Sequence, residues 1–431
     1  MKSSQESFAD SLWWNESEEP PCGFAPHTGQ SEVDVAIVGG GITGVSAALH
    51  LAEAGLRVAL FEARHIGFGA SGRNGGQVIP GLKYDPEDLV AKYGHDRGGR
   101  LAEMAGGAAD LTFDLIARHG IRCNPVRGGW IQAAHSPHAL EAVTTRARQW
   151  QARGVPVEIL SRDEVAARTG TPNQFGGWRD PRAGAIQPLD YTRGLARAAA
   201  RAGAMLYEQS PVRELVRTAS GWSLRAGQGR CTAKRVILGT NAYTDRLKPG
   251  LAQSVLPVQS MQLATDPLPA DLAARIMPGG LMMSETRKLA FYMRQTPRGG
   301  FMIGGRGAVG DGEDGRLMAA LERGMLKLFP DLAGVPVRYR WSGHVCLSLD
   351  GLPHFHEPEP GLICLLAYNG RGVALASAFG RMLAEEIAGR GEAVYPRTRL
   401  SRIGWHALRR PVMGLGVRWY WLKDGLGFAS K

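Results

Sequence analysis

The 431-residue sequence predicts an α/β protein: a Rossmann-like domain joined to an α+β domain whose sheet is mostly antiparallel. Three observations carry that expectation. The β-branched run VDVAIV, Val33 to Val38, leads directly into GGGITG. A second short apolar run, Arg57 to Phe61, ends on the acid Glu62. The 58 glycines fall in runs such as Gly39-Gly40-Gly41, Gly75-Gly76 and Gly304-Gly305, where a backbone must turn tightly or approach a ligand closely. With 44% hydrophobic residues at this length, there is material for two packed cores.

The first run suits a strand buried on both faces of a parallel sheet. Gly39, Gly41 and Gly44 then match G-x-G-x-x-G. Ile42, Val45, Leu49 and Ala52 recur at helical spacing until Gly55 stops the helix. Glu62 lies eighteen residues beyond Gly44, near the spacing at which an acid meets a nucleotide ribose. The glycines let the chain approach a pyrophosphate, and the helix start at Ile42 and Thr43 offers it free amides and partial positive charge. Strand, glycines, helix, strand and acid in this order predict a bound dinucleotide, with NAD and FAD both open.

Other classes are excluded in turn. Cys22, Cys123, Cys231, Cys346 and Cys364 are odd in number and scattered, without metal-ligand pairing, which fits a reducing compartment. His354 and His356 lack a third ligand nearby, so no metal site is expected. Glu6, Asp10, Glu16 and Glu18 occupy the start where a secretory signal would be basic and then apolar, and no run approaches eighteen apolar residues. A cytoplasmic protein is expected. The formal charge of +11 is concentrated at the C-terminus: residues 396–431 hold eight basic residues against Asp424 alone, a net +7.

After Glu62 the chain reads ARHIGFGASGRNGGQ, Ala63 to Gln77, where a nicotinamide-binding domain would enter another crossover helix. This segment resembles the D-amino-acid oxidase-like family of FAD amine oxidases, in particular its gamma-glutamylputrescine oxidoreductase branch. PVRELVR from Pro211, VILGTNAY from Val236, RWSGHVCLSLDGLPHF from Arg340 and AYNGRGVALASAFGRMLAEEI from Ala367 resemble further family segments, so the likeness spans nearly the whole chain.

The resemblance implies FAD, held by Gly39, Gly41, Ile42, Thr43 and Gly44, with Glu62, Ala63 and Arg64 following the second strand. It also implies Ser71 and Gly72 at the pyrophosphate and Arg73, Asn74, Gly75, Gly76 and Gln77 beside the isoalloxazine. Val212 is implied at the adenine, and Thr240 and Asn241 under the cofactor. Gly370, Arg371, Gly372 and Val373 complete the set. The last assignment also has its own physics: Leu375, Phe379, Met382, Leu383 and Ile387 share one helical face, so Gly372 and Val373 begin a helix whose positive end suits reduced flavin.

The family's domains are interleaved. The expected division gives residues 1–30 to an N-terminal arm, 31–82, 182–246 and 341–395 to the FAD domain, 83–181 and 247–340 to the substrate domain, and 396–431 to a basic aromatic tail packed on the body. PVQSMQLATD, KLAFYMRQT and GGFMIGGRG read as antiparallel strands roofing the flavin. Gly404, Pro411, Gly414, Gly416, Gly425 and Gly427 should break any long amphipathic helix in the tail of the kind a membrane surface takes.

Amine oxidation by flavin needs positioning more than acid–base help. Tyr292, Arg371, Tyr368 and His344 are therefore the candidate catalytic residues, with Arg294 and Trp341 considered beside them. Two departures from the family matter. Gly343 stands where a related branch carries its flavin-linking cysteine, with Cys346 three positions away, so FAD is expected to be non-covalent. Met302 stands where that branch has the lysine that assists dioxygen, which leaves either dioxygen or a quinone or carrier as electron acceptor. YNGRGV in place of a YSGHGV-like segment puts the cation Arg371 near the flavin and favours a substrate carboxylate.

The expected activity is oxidation of a small gamma-glutamylated, N-methylated or amino-acid-like amine to an imine that hydrolyses. The alternative uses the basic tail, either in a dehydrogenase docked on a membrane surface or in an RNA-modifying amine oxidase. The tail's expected packing on the body argues against nucleic acid or membrane as partner.

Overall fold

The computed structural model describes residues 11–307 and 315–425. Its first sheet is built outward from the strand Gln30–Val38, which pairs in parallel with Val58–Phe61 on one side and Gly229–Leu238 on the other. Met205–Tyr207 extends it in parallel at one edge, and Leu362–Leu366 followed by antiparallel His354–Glu359 extends it at the other. Alternation along the central strand decides which layer each side chain enters: Val35 and Ile37 face the helical core, Ala36 and Val38 the opposite one. The hairpin Val212–Thr218 and Gly221–Ala226 covers that opposite side.

The helix Ile42–Glu53 follows the glycine turn as the spacing predicts, and it packs along Gly372–Ile387. The approach is close because Gly380 has no side chain: a β-carbon there would lie 2.6 Å from Ser46 Cβ. Ser46 Oγ also donates to the Ser377 carbonyl at 2.9 Å. These two helices bring the beginning and end of the FAD-type sequence together.

The second sheet has the order Val337–Leu347, Leu256–Pro267, Gly300–Arg306, Tyr292–Gln295, Met282–Glu285, Trp130–Ala133, Gly177–Asp180 and Glu158–Leu160. All pairings are antiparallel except that of Met282–Glu285 with Trp130–Ala133. A Ser161–Glu164 capping box starts the helix Arg162–Thr169. Strands of the two sheets alternate along the chain. Val337–Leu347 is one continuous strand of the second sheet, so the junction drawn at 340/341 falls inside it, and we propose placing that junction after Leu347.

One further expectation is corrected. The tail forms a continuous helix, Arg409–Gly425, through Gly414 and Gly416. Pro411 falls in its first turn, where a missing amide costs little, and the cost of a glycine inside a helix, about 1 kcal/mol, does not break this one. Glu6, Asp10 and Gly427, named in the sequence analysis, lie outside the described residues.

Replacing Gly380 by valine forces the two long helices apart. The expected loss is about 1–3 kcal/mol of stability, typical of overpacking, read as a lower midpoint in urea unfolding.

Candidate active site

The first strand ends at Gly39, whose φ of +110° only glycine adopts without strain and whose amide donates to the Phe61 carbonyl at 2.9 Å. Gly41 caps the helix without a side-chain hydrogen bond. A β-carbon on Gly41 would sit 2.8 Å from Ser71 Oγ, and Ser71 Oγ itself accepts from the Ile42 amide at 2.9 Å. The helix start is thus a narrow cleft of backbone donors closed by the Ser71 hydroxyl. Glu62 holds this turn from below: its carboxylate accepts from the Gly40 amide at 2.7 Å and the Arg64 amide at 2.8 Å. Burial pushes its carboxyl above the ordinary range, against the pull of those two bonds.

A cavity of about 960 Å³ runs from this cleft to the second sheet. All predicted cofactor residues lie on its wall except Gly44, Gly72 and Gly76. Those three serve the backbone instead. A β-carbon on Gly44 would lie 2.0 Å from the Gly39 carbonyl, on Gly72 2.3 Å from the Gly67 carbonyl, and on Gly76, at φ +66°, 2.2 Å from the Ile186 carbonyl. Size and shape suit a dinucleotide, and the glycine cleft, the helix amides and an acid at the strand end fit FAD.

At the far end, three residues before the helix Gly372–Ile387 have positive φ: Ala367 at 62°, Asn369 at 54° and Gly370 at 85°. Side-chain bonds hold this strained turn: Asn241 Oδ1 accepts the Ala367 amide at 2.9 Å and Asn369 Oδ1 the Ser348 amide at 3.0 Å. The turn aims the start of the helix, Gly372 and Val373, at the cavity.

Tyr292, His344, Tyr368 and Arg371 all reach the wall. The Tyr292 ring lies where β-carbons of Gly75 and Gly304 would be, and its hydroxyl bonds Ser260 Oγ at 2.9 Å and accepts from Gln262 Nε2 at 2.6 Å. Burial raises that phenol. The Tyr368 hydroxyl is committed to Thr43 Oγ1 at 2.6 Å in a buried contact, which makes it a tether between the two long helices' N-termini rather than an acid or base. His344 stands edge-on to Tyr243 at 5.7 Å. Arg371 donates to the Pro80 carbonyl at 3.1 Å and lies 4.8 Å over the Trp130 ring. Burial lowers its pKa to about 10, and among the described residues no carboxylate lies within ion-pair distance.

Arg294 and Trp341 are not on the wall. Both are buried behind it, and Trp341 Nε1 donates to the Arg73 carbonyl at 3.0 Å. Sequence reasoning missed Trp130, Gln132, Ser284 and Arg146, which line the same end. Gln132 Oε1 accepts from Arg146 Nη1 at 2.6 Å and Trp178 Nε1 at 3.1 Å, while Asp85 neutralises Arg146. Period-two alternation was the available signal, since it sets Trp130 and Gln132 at alternate positions of the strand Trp130–Ala133.

A family model for FAD-dependent oxidoreductases matches residues 34–386. The chain belongs to that family. It is 32% identical to gamma-glutamylputrescine oxidoreductase of Escherichia coli K12 over 399 residues, covering 91% of this chain and 93% of that one. It is 27% identical to glycine oxidase of Geobacillus kaustophilus, covering 82% and 92%. The crystal structure of a glycine oxidase from the same organism superposes with a TM-score of 0.71 at 25% identity, covering 87% of this chain and 99% of that one. Family membership implies FAD and an oxidoreductase acting on CH–NH bonds. Among the described residues no helix is long and apolar enough to cross a membrane, and no cluster of three or more acidic, histidine or cysteine residues could hold a metal.

The Gly41→Val variant is expected to purify folded but without FAD, because its side chain closes the cleft between Ser71 and the helix amides. The ratio of visible to ultraviolet absorbance measures this, and a yellow variant would show that the cleft is not the pyrophosphate site.

Proposed function

We propose that the protein oxidises the carbon–nitrogen bond of a small amine bearing a carboxylate, among them gamma-glutamylated, N-methylated or amino-acid-like amines. The observation that carries the reading is Arg371, a cation on the cavity wall with an aromatic floor and no carboxylate of its own. An anionic substrate group would supply the missing charge through a forked pair of hydrogen bonds. Arg146, by contrast, is already neutralised by Asp85 and serves to orient Gln132.

Bound FAD supplies the acceptor for two electrons from the substrate's C–H bond. The chain's own part is to hold the substrate. Arg371 anchors the carboxylate, Tyr292 and Trp130 confine the alkyl portion, and Ser260, Gln262 and Ser284 furnish fixed dipoles at that end. Loss of a hydride from carbon and a proton from nitrogen leaves an imine, which water converts to a carbonyl compound and a released amine. The FAD is proposed to be non-covalent: Gly343 offers no thiol, and Cys346 is a buried thiol whose pKa burial pushes up to about 12. A cytoplasmic location is part of the same proposal.

A second reading has its own observation. The C-terminal helix closes one side of the cavity with Met413, Gly416 and Val417, while Leu408, Leu415 and Trp419 are 61%, 67% and 56% exposed. With Arg399, Arg402 and Arg410 exposed nearby, this outer face favours docking on an anionic membrane surface, where a quinone would be the acceptor.

Arg371→Ala is expected to slow flavin reduction by the true substrate by roughly 10- to 150-fold, the equivalent of losing a charge-assisted hydrogen bond of about 1.5–3 kcal/mol. Anaerobic stopped-flow bleaching measures it, and an unchanged rate for every carboxylated amine would remove the assignment. For the second reading, co-sedimentation with anionic but not neutral liposomes, weakening with salt, is the expected result; equal recovery with both would count against it.

A further inference from the structure

Arg294 sits in the strand Tyr292–Gln295 and is 2% exposed. Its cross-strand neighbours on the cofactor side of the sheet are Met282 and Met302, both fully buried, and the Trp13 ring covers its guanidinium at 5.0 Å. Among the described residues no carboxylate lies within ion-pair distance of it, and Nε has no hydrogen-bond partner. Burial alone moves its pKa, down to about 9, with no charged group offsetting it. Desolvating an uncompensated guanidinium is costly even after relaxation, and methionine neighbours show that an apolar side chain would fit this row.

The two donors that do find partners point at one place. Nη2 donates to the Ile186 carbonyl at 2.8 Å and Nη1 to the Gly76 carbonyl at 3.4 Å. A β-carbon on Gly76 would lie 3.0 Å from Nη2, so the fork is pressed directly against a segment whose neighbours, Gly75 and Gln77, form the cavity wall. Trp13 locks the arrangement from the N-terminal arm. It is fully buried, its Nε1 donates to the Asn74 carbonyl at 2.7 Å, and its own carbonyl accepts from Gln187 Nε2 at 2.8 Å. A fixed positive charge one backbone layer behind the wall, in a buried site, favours whatever negative charge develops on the other side of that layer.

We propose that Arg294 is a positioning residue for the redox step: a buried cation, locked under Trp13, that braces the Asn74–Gln77 segment and raises the reduction potential of the bound flavin. This rests on the family's FAD and not on the identity of the amine. The N-terminal arm thereby becomes part of the cofactor apparatus.

The test compares Arg294→Gln, which keeps an N–H donor but loses the charge, with Arg294→Lys, which keeps the charge but loses the fork. The readout is the two-electron midpoint potential of the purified holoenzyme, measured anaerobically against reference dyes without any amine, together with FAD content and melting temperature. The expected result is a fall of about 30 mV in the glutamine variant, a tenfold shift toward oxidised flavin, with most of that fall restored in the lysine variant. If the glutamine variant purifies poor in flavin, the same quantity follows from the ratio of its dissociation constants for reduced and oxidised FAD on reconstitution. An unchanged potential with only a lower melting temperature overturns the proposal, and so does an equal fall in both variants. Failure of every amine to bleach the wild-type flavin would count against the proposed substrate class and leave this measurement untouched.

Discussion

The carbonyl of Gly39 points at the place where a β-carbon on Gly44 would be, 2.0 Å away. Because Gly44 has none, the helix Ile42–Glu53 can start directly on the end of the central strand instead of standing off by the width of a side chain. Its first amides then open on the cavity, and Thr43 is brought within 2.6 Å of Tyr368. That second bond joins residue 43 to residue 368, and Gly380 against Ser46 continues the contact along both helices. A chain whose cofactor segments are separated by whole domains of other sequence is closed into one site through this pair. A larger residue at position 44 would displace the amides, the Tyr368 turn and the start of the second helix together.

The roof is held to the cofactor domain by bonds of a different kind. Trp341 donates to the Arg73 carbonyl, Trp13 to the Asn74 carbonyl, and Gln77 donates to the Met293 carbonyl at 3.1 Å. Each reaches from or to the Arg73–Gln77 segment, which has no regular structure of its own beyond the short strand Gln77–Val78. An irregular segment lining a cavity must find its hydrogen-bond partners in its surroundings. Here the second sheet and the N-terminal arm provide them.

Much of this was legible because the cofactor segments carry local signals. Glycine spacing, strand and helix periodicity and the acid at Glu62 are properties of short windows, and the structure places these residues as the windows imply. What depended on distant contacts was not legible. Gly44, Gly72 and Gly76 look like cofactor glycines by position, yet the atoms they avoid are backbone carbonyls of Gly39, Gly67 and Ile186. The tail shows the same limit from the other side: its glycines forecast a broken segment, whereas Gly416 lies where the helix meets the cavity. Trp13 gave no signal, since its partners are at positions 74, 187, 294 and 341.

Three arginines around one cavity show how partnership sorts function. Arg146 meets Asp85 and is electrically complete, so its effect reaches no further than the side chain it orients. Arg371 has no carboxylate within ion-pair distance among the described residues and lies on the cavity wall, the basis for proposing it as the receptor of an anion that enters and leaves. Arg294 is incomplete and sealed under an indole, where no ion can follow it. A charge that cannot recruit a counter-ion acts continuously on whatever lies across the nearest backbone, and the low dielectric that makes it costly to bury also extends its reach. On the proposed roles, the same residue type orients a neighbour, receives a ligand or biases a cofactor, and the difference lies in which carboxylate is within four ångströms and which side of the wall the guanidinium occupies.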